Sequence, residues 1–209
     1  GDFRSPECVE LLKEADIVVT NPPFSLFRDY VALLMQYNKQ FAIIGNQNAI
    51  TYREIFPLIK SNKIWLGYNN GHYWFMVPDS YEEKKTDFKI DESGQKWRRM
   101  GNICWFTNLD IEKRHEDMTL FRTYSPDIYP KYDNYDAIEV SKTADIPCDY
   151  DGYMGVPITF MQYYNPEQFE IAGLDDHRVE WGGHGPRLNG KVKYRRVIIR
   201  RKQANINEN

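Results

Sequence analysis

The chain has 209 residues, enough to bury a full core as one domain of ordinary size or as a domain plus a small lobe. It is 42% hydrophobic and 27% charged, and its 13 Gly and 11 Pro follow no period, which excludes collagen, coiled coil and wholesale disorder. With 27 basic against 30 acidic side chains the net charge is -3, so no global positive field draws it to nucleic acid, and any such affinity must come from a local patch.

No apolar run approaches the length of a bilayer span and no secretory signal opens the chain, which predicts a soluble cytoplasmic protein with no membrane partner. Cys8, Cys104 and Cys148 are odd in number and show no CxxC spacing, so free buried thiols are expected rather than a disulfide framework. His72, His115, His177 and His184 are scattered without metal-ligand spacing and read as surface or structural side chains; no metal is expected. The start at Gly1, without an initiator Met and directly ahead of structured-looking sequence, reads as a cut from something longer.

Ser5-Pro6-Glu7 supplies an N-cap, a proline at the first helical position and an early acid, which predicts a helix through about Ala15 with Val9, Leu12 and Ala15 on one side. Ile17-Val18-Val19 is a short apolar run of the kind a parallel strand covered on both faces requires. Asn21-Pro22-Pro23-Phe24 stops it. A second helix is expected from Ser25 to about Tyr37, on the spacing of Leu26, Phe27, Tyr30, Val31, Leu34 and Met35, ahead of a buried strand at Phe41 to Gly45. Thr51-Tyr52-Arg53-Glu54 has the form of a capping box for a third helix closed by Ser61-Asn62, followed by a strand at Lys63 to Tyr68. This alternation predicts an α/β fold with a largely parallel sheet over residues 1–109.

The aromatic stretch from Asn69 to Val77 and the charged stretch at about 79–96 read as a break in that pattern, the latter as a solvated insertion or mobile loop. Ile103 to Thr107 returns as a sheet strand. Residues 110–209 then form an expected C-terminal lobe, irregular from Asp110 to Asp151, with no internal repeat. It ends in a segment, Arg187 to Lys202, with eight basic residues in sixteen. Asn189-Gly190 is a hairpin turn signal, so a basic β-hairpin is expected. Lys191, Lys193, Arg195, Arg196, Arg200 and Arg201 are its candidate phosphate contacts; the alternative is a solvated edge strand guarded by its own charges.

The chemistry is concentrated in Asn21-Pro22-Pro23-Phe24, at the carboxyl end of a strand, where open α/β sheets bind ligands. An asparagine here would ordinarily give its side-chain oxygen to downstream amides, but Pro22 and Pro23 have none to offer. The Asn21 oxygen and the Pro22 carbonyl then project as paired acceptors for a planar NH₂ group, with Phe24 as a ring to stack on. Such a site suits alkylation of a weakly nucleophilic exocyclic amine by an activated sulfonium methyl donor, through positioning and electrostatics rather than a strong base. The bland alternative makes Asn21 a helix cap and Phe24 a core aromatic. Tyr68, Tyr73, Trp74 and Phe75 read as sheet packing or, if exposed, as the border of a pocket for an extruded base. Gln47, Asn69 and Asn70 are amides able to read adenine edges. Asp175-Asp176-His177 reads as an exposed turn.

Asn21-Pro22-Pro23-Phe24 resembles the catalytic motif of amino-group methyltransferases that use S-adenosylmethionine, and Gly1-Asp2-Phe3 resembles their upstream cofactor motif. The stretches GDFRSPECVELLKEADIVVTNPPFSLF, FAIIGNQNAITYREIFPLIK, NKIWLGY, GVPITFMQYYNPEQFEI and NGKVKYRRVIIRRK are similar to adenine-specific DNA methyltransferases of the EcoRI type. The resemblance implies the later strands of a class I, Rossmann-like methyltransferase sheet with an irregular inserted and C-terminal recognition lobe. It implies methyl transfer from S-adenosylmethionine to N6 of a flipped-out adenine in double-stranded DNA. Asp2 would accept a hydrogen bond from the cofactor adenine and Phe3 pack on it; Asn21 and Pro22 would hold the target amine and Phe24 stack on its ring. It also implies a prokaryotic or phage restriction-modification setting, with a restriction enzyme linked only functionally. The family's Gly-rich cofactor loop is not matched: Gly45, Gly152 to Gly155 and Gly182-Gly183-His184-Gly185 neither follow a convincing strand nor open a helix, so that loop is expected upstream of Gly1. A non-catalytic DNA-binding or specificity fragment, and a methyltransferase acting on RNA or protein glutamine, stay open as alternatives.

Overall fold

The computed structural model describes residues 2–175 and 185–202, with the backbone alone at 69–72. Two compact units result, residues 1–55 with 66–109 and residues 56–65 with 110–209. Among the described residues no helix is long and apolar enough to cross a membrane.

In the first unit, helix α1 (Pro6–Glu14) starts where the Cys8 N–H donates to Ser5 Oγ at 3.3 Å and Pro6 takes a position whose N–H has no helical acceptor. Leu12 is its buried residue. Its last carbonyls are satisfied from outside, since Lys39 Nζ donates to Lys13 O and Ala15 O, each at 2.8 Å. Strand β1 (Ile17–Thr20) pairs in parallel with β2 (Gln40–Asn46), Ile17 opposite Gln40 and Thr20 opposite Ile43. Helix α2 (Phe27–Gln36) makes the crossover and buries Phe27, Val31 and Leu34. It can approach β2 because Gly45 has no side chain: a Cβ there would lie 2.5 Å from the Phe27 ring and 2.8 Å from that of Phe106.

Beyond β2 the sheet departs from the expected parallel pattern. The strand order is β1-β2-β5-β3, with β3 Trp65–Met76 and β5 Lys96–Thr107, and β4 (Phe88–Ile90) pairs with β5. Both β2/β5 and β4/β5 are antiparallel, so only β1/β2 carries the expected parallel ladder among the described pairings. A parallel return from β3 would need a crossover of a dozen or more residues, usually helical, whereas residues 77–95 form turns and the short β4. The charged stretch is, as expected of a solvated insertion, mostly exposed turns, but it also contributes the short strand β4 to the sheet. A second correction concerns β1: as the terminal strand in the order it leaves Ile17 48% and Val19 66% exposed, so the strand expected to be covered on both faces is not.

The third helix also starts later than expected. Residues 47–51 form a 3-10 turn in which the Thr51 hydroxyl donates to Asn48 O at 2.9 Å, so Thr51 ends that turn rather than opening a helix. Helix α3 spans Phe56–Lys60. Pro57 explains the shift, because a helix running from Tyr52 would need the N–H that Pro57 lacks, and proline is tolerated only in a first turn.

The second unit holds a sheet that the expected irregular lobe did not anticipate. Its order is β6-β7-β11-β8, from β6 Ala137–Glu139, β7 Tyr153–Val156, β8 Phe169–Asp175 and β11 Arg196–Arg201. β6/β7 is parallel, while β11 runs antiparallel to both β7 and β8, with a register shift between Ile198 and Ile199. Ile138, Met154, Val156, Phe160, Phe169, Val197, Ile198 and Ile199 form the sealed core, and α3 packs on β8. Between β8 and β11, β9 (Arg187–Leu188) and β10 (Lys191–Val192) form a separate antiparallel pair. Its turn is Asn189-Gly190, with φ of 51° and 74°, the doubly positive pair that a tight hairpin turn demands. Val197 to Ile199, grouped with that hairpin from the sequence, belong instead to the central strand of the larger sheet.

Candidate active site

The chain leaves β1 at Thr20 and reaches α2 through Asn21-Pro22-Pro23 and a 3-10 turn at Phe24–Leu26. That turn is closed by the Leu26 N–H donating to Pro23 O at 2.9 Å, and its capping position is Pro23, with no side-chain cap. Asn21 is therefore not a helix cap. Its carboxamide is exposed and makes no hydrogen bond among the described residues, and the Pro22 carbonyl likewise accepts none there. Pro22 itself is buried and anchors the loop, while Phe24 stays 41% exposed, so it is no core aromatic either. The Asn21 carboxamide, the Pro22 carbonyl and the Phe24 ring thus lie at the carboxyl end of β1, in the parallel β1/β2 ladder.

Asp2 and Phe3 lie in the same unit. Asp2 accepts from the Arg4 N–H at 3.0 Å, from Arg4 Nε at 3.1 Å and from Arg4 Nη2 at 3.3 Å, contacts that hold its carboxyl below the usual range. Phe3 meets Tyr30 of α2 edge-on, with centroids 5.0 Å apart, and Arg4 lies 5.2 Å over its ring. Tyr68, Trp74 and Phe75 are 53%, 40% and 41% exposed, while Tyr73 is half-buried. The side chains of Asn69, Asn70 and His72 lie outside the described residues, as do His177, Gly182, Gly183 and His184. His115 meets Asp110 at 2.7 Å on the surface. Cys104 is buried, its thiol pushed up to about 12 by that burial, and Cys8 and Cys148 are free and half-buried.

Two of the glycine stretches weighed as cofactor cradles prove to be packing positions. Gly45 lies inside β2 against Phe27 and Phe106, and Gly152 and Gly155 face the rings of Tyr150 and Tyr132.

The six basic candidates divide into three groups. Arg196 is drawn inward: Nη2 and Nε donate to Glu139 at 2.6 and 3.1 Å, and the two side chains are 11% and 4% exposed. The Tyr132 hydroxyl donates to the same carboxylate. Arg200 pairs with Glu170 at 2.7 Å and lies 5.2 Å over the Tyr153 ring. Lys191 and Lys193, by contrast, are exposed on and beside β10, and neither forms an ion pair among the described residues. Arg195 and Arg201 are half-exposed. What anchors the hairpin has no signature in the sequence: Asp133 accepts from the Asn189 and Gly190 N–H groups at 3.2 and 2.7 Å, and Asn134 Oδ1 accepts from the Arg187 N–H at 3.0 Å.

Residues 1–202 match the family described as adenine-specific methyltransferase EcoRI. The chain is 51% identical over 211 residues to the type II methyltransferase M.EcoRI of Escherichia coli, covering 97% of this chain and 63% of that protein. It is 43% identical to the type II methyltransferase M.MgeORF184P of Mycoplasma genitalium and 41% identical to M.MpnI of Mycoplasma pneumoniae, covering 97% of this chain and 70% and 69% of theirs. The chain thus spans about two thirds of the length of these relatives. No solved structure matches it. The chain belongs to the EcoRI family of adenine-specific methyltransferases.

Proposed function

We propose that the protein transfers a methyl group from S-adenosylmethionine to the N6 amino group of an adenine in double-stranded DNA, the base being flipped out of the duplex. The reading rests above all on the Asn21 carboxamide, exposed and unbonded at the end of β1. In it the first unit is the later part of a Rossmann-like methyltransferase sheet. The second unit reads DNA, with the exposed Lys191 and Lys193 on phosphates, because Arg196 and Arg200 are engaged by Glu139 and Glu170.

The residues fit the adenine end of the methyl donor. A carboxylate has about four acceptor sites, so Asp2 keeps capacity beyond its three contacts from Arg4, and Phe3 offers a ring beside it. When bound, the donor supplies an electrophilic methyl on a cationic sulfur that leaves as a neutral thioether. Asn21 Oδ1 and the Pro22 carbonyl accept the two protons of the target amine, which draws its lone pair out of conjugation with the ring and toward the methyl carbon. Phe24 stacks on the base and holds the approach in line. The spare proton on nitrogen leaves to solvent after transfer, so no side chain need act as a strong base.

In the full-length protein, Asn21→Ala is expected to lower methyl incorporation into DNA by about a hundredfold or more, the scale on which one preorganised hydrogen-bonding group acts. DNA affinity should hold within about threefold, since base contacts at one nucleotide contribute little beside the phosphates. Retained turnover overturns the reading, and labelled methyl recovered in RNA or protein rather than DNA redirects it.

A further inference from the structure

The β9/β10 hairpin has two unlike faces, and one of them borders a cleft. Lys191 stands opposite Leu188 and Val192 opposite Arg187, and cross-strand partners share a face. The Lys193 N–H donates to Pro186 O at 2.7 Å, which carries the pairing one residue further, so Lys191, Lys193 and Leu188 project to the same side. There a cleft of about 660 Å³ is lined by Leu188 and Lys193 of the hairpin and by Phe121, Asp127 and Ile128 among others. Most charges in the cleft are matched: Arg122 pairs with Asp145 at 3.3 Å, and Glu139 with Arg196 at 2.6 Å. Lys193 and Asp127 are the two lining charges that form neither an ion pair nor a side-chain hydrogen bond among the described residues. Asp127 sits in an exposed turn closed by the Ile128 N–H donating to Ser125 O at 3.0 Å, so its carboxylate is not spent on the turn. Phe121 and Ile128 are 65% and 68% exposed, an apolar rim to the cleft.

We propose that Asp127 reads DNA sequence, its carboxylate accepting a hydrogen bond from the exocyclic amine of a cytosine or adenine other than the base that is methylated. The inference rests on the reading above in which Lys191 and Lys193 meet phosphates. A duplex held by those two lysines lies along the mouth of the cleft, which brings Asp127 to it. A carboxylate facing a phosphate is costly, so an unpaired acid on this surface has to find its partner on the bases. The β9/β10 pair is a two-stranded ribbon, an element that the major groove admits. In that groove cytosine and adenine present amino donors, whereas guanine presents acceptors alone and thymine an acceptor and a methyl group, so the carboxylate discriminates against both. The rim of Phe121 and Ile128 shields the contact from water, which strengthens a hydrogen bond to a charged acceptor. Lys191 and Lys193 then set the position of the backbone, and Asp127 carries sequence information.

The test measures binding of the full-length protein to duplexes with and without the sequence it methylates. In a further set, single adenines or cytosines around the target are replaced by purine or 2-pyrimidinone, which lack the amine. Asp127→Ala should weaken binding to the methylated sequence by about tenfold or more. Binding to unrelated duplexes should stay the same or tighten, because a negative charge has been removed. One amine-free analogue should cost the unsubstituted protein about tenfold and Asp127→Ala less than about twofold, since the variant has already lost that contact. Asp127→Asn, which keeps an acceptor oxygen and the turn preference at this position, should recover part of the loss. Tightening by one common factor on every duplex, as a solvated surface acid would give, overturns the proposal, and so do analogue penalties that are identical in the two proteins. If Asp127→Ala does not fold, Asp127→Gly, which a turn accepts, carries the same comparison. An unchanged salt dependence in Lys191→Ala with Lys193→Ala would instead defeat the placement of DNA on the hairpin.

Discussion

At the scale of single residues, Glu139 and Arg196 show how a basic sequence becomes core. Burial works against a charge on Glu139, yet hydrogen bonds from Arg196 and Tyr132 outweigh it and leave the carboxyl below its ordinary 4.5. A carboxyl lowered in the folded state contributes stability that is present above 4.5 and lost as pH falls through the folded value. Arg196→Met, which strands that carboxylate, should cost about 3 kcal/mol or more at pH 7 in denaturant unfolding. Glu139→Gln should instead flatten the loss of stability on acidification below 4.5, and an acid limb parallel to that of the unsubstituted protein would assign the dependence to other groups. Sequence could show that Arg196 was basic but not that Glu139, fifty-seven positions away, would meet it, since the contact follows from β6 and β11 sharing a sheet. Asn21, in contrast, was legible because its two prolines exclude local partners whatever surrounds them.

At the scale of elements, what could be read tracks how local the cause is. The Ser5 cap, the β1-α2-β2 alternation and the Asn189-Gly190 turn are each fixed by neighbours in sequence, and each is present. Strands at Lys63 to Tyr68 and Ile103 to Thr107 were expected, but their extent and the antiparallel β2/β5 pairing were not, because a ladder is set by pairing across the sheet, and the acids and lysines around β4 mask a strand that is wet on one side. The position of α2, which carries the Asn21–Phe24 loop, depends on Gly45. Gly45→Ala places a methyl within 2.8 Å of two rings. It should destabilise the protein by about 1–3 kcal/mol, as overpacking does. Methyl transfer should fall further than stability alone explains, because displacing Phe27 moves the loop three residues before it. Calorimetry with kinetics well below the melting point separates the two effects, and an unaffected rate would detach the loop from α2.

For the whole molecule, a net charge of -3 means that attraction to a polyanion has to come from where the cations stand rather than how many there are. The terminal segment concentrates them, but its strand β11 turns Arg196 and Arg200 toward Glu139 and Glu170, and the β9/β10 hairpin, tethered through Asp133, holds Lys191 and Lys193 outward. A tether of backbone N–H groups on a carboxylate fixes the direction of the hairpin without using a cation, leaving the lysines for a partner. If both meet phosphates, Lys191→Ala with Lys193→Ala should reduce the magnitude of the slope of log K against log salt by about 1.8, near 0.9 for each contact. The drop should be the same on duplexes with and without the methylated site, because phosphate contacts carry no sequence information. Arg200→Gln should leave the slope nearly unchanged, since its charge is already balanced by Glu170. An unaltered slope in the double lysine variant would make the hairpin an edge kept soluble by its own charges, and would move the search for the DNA-binding face away from β10.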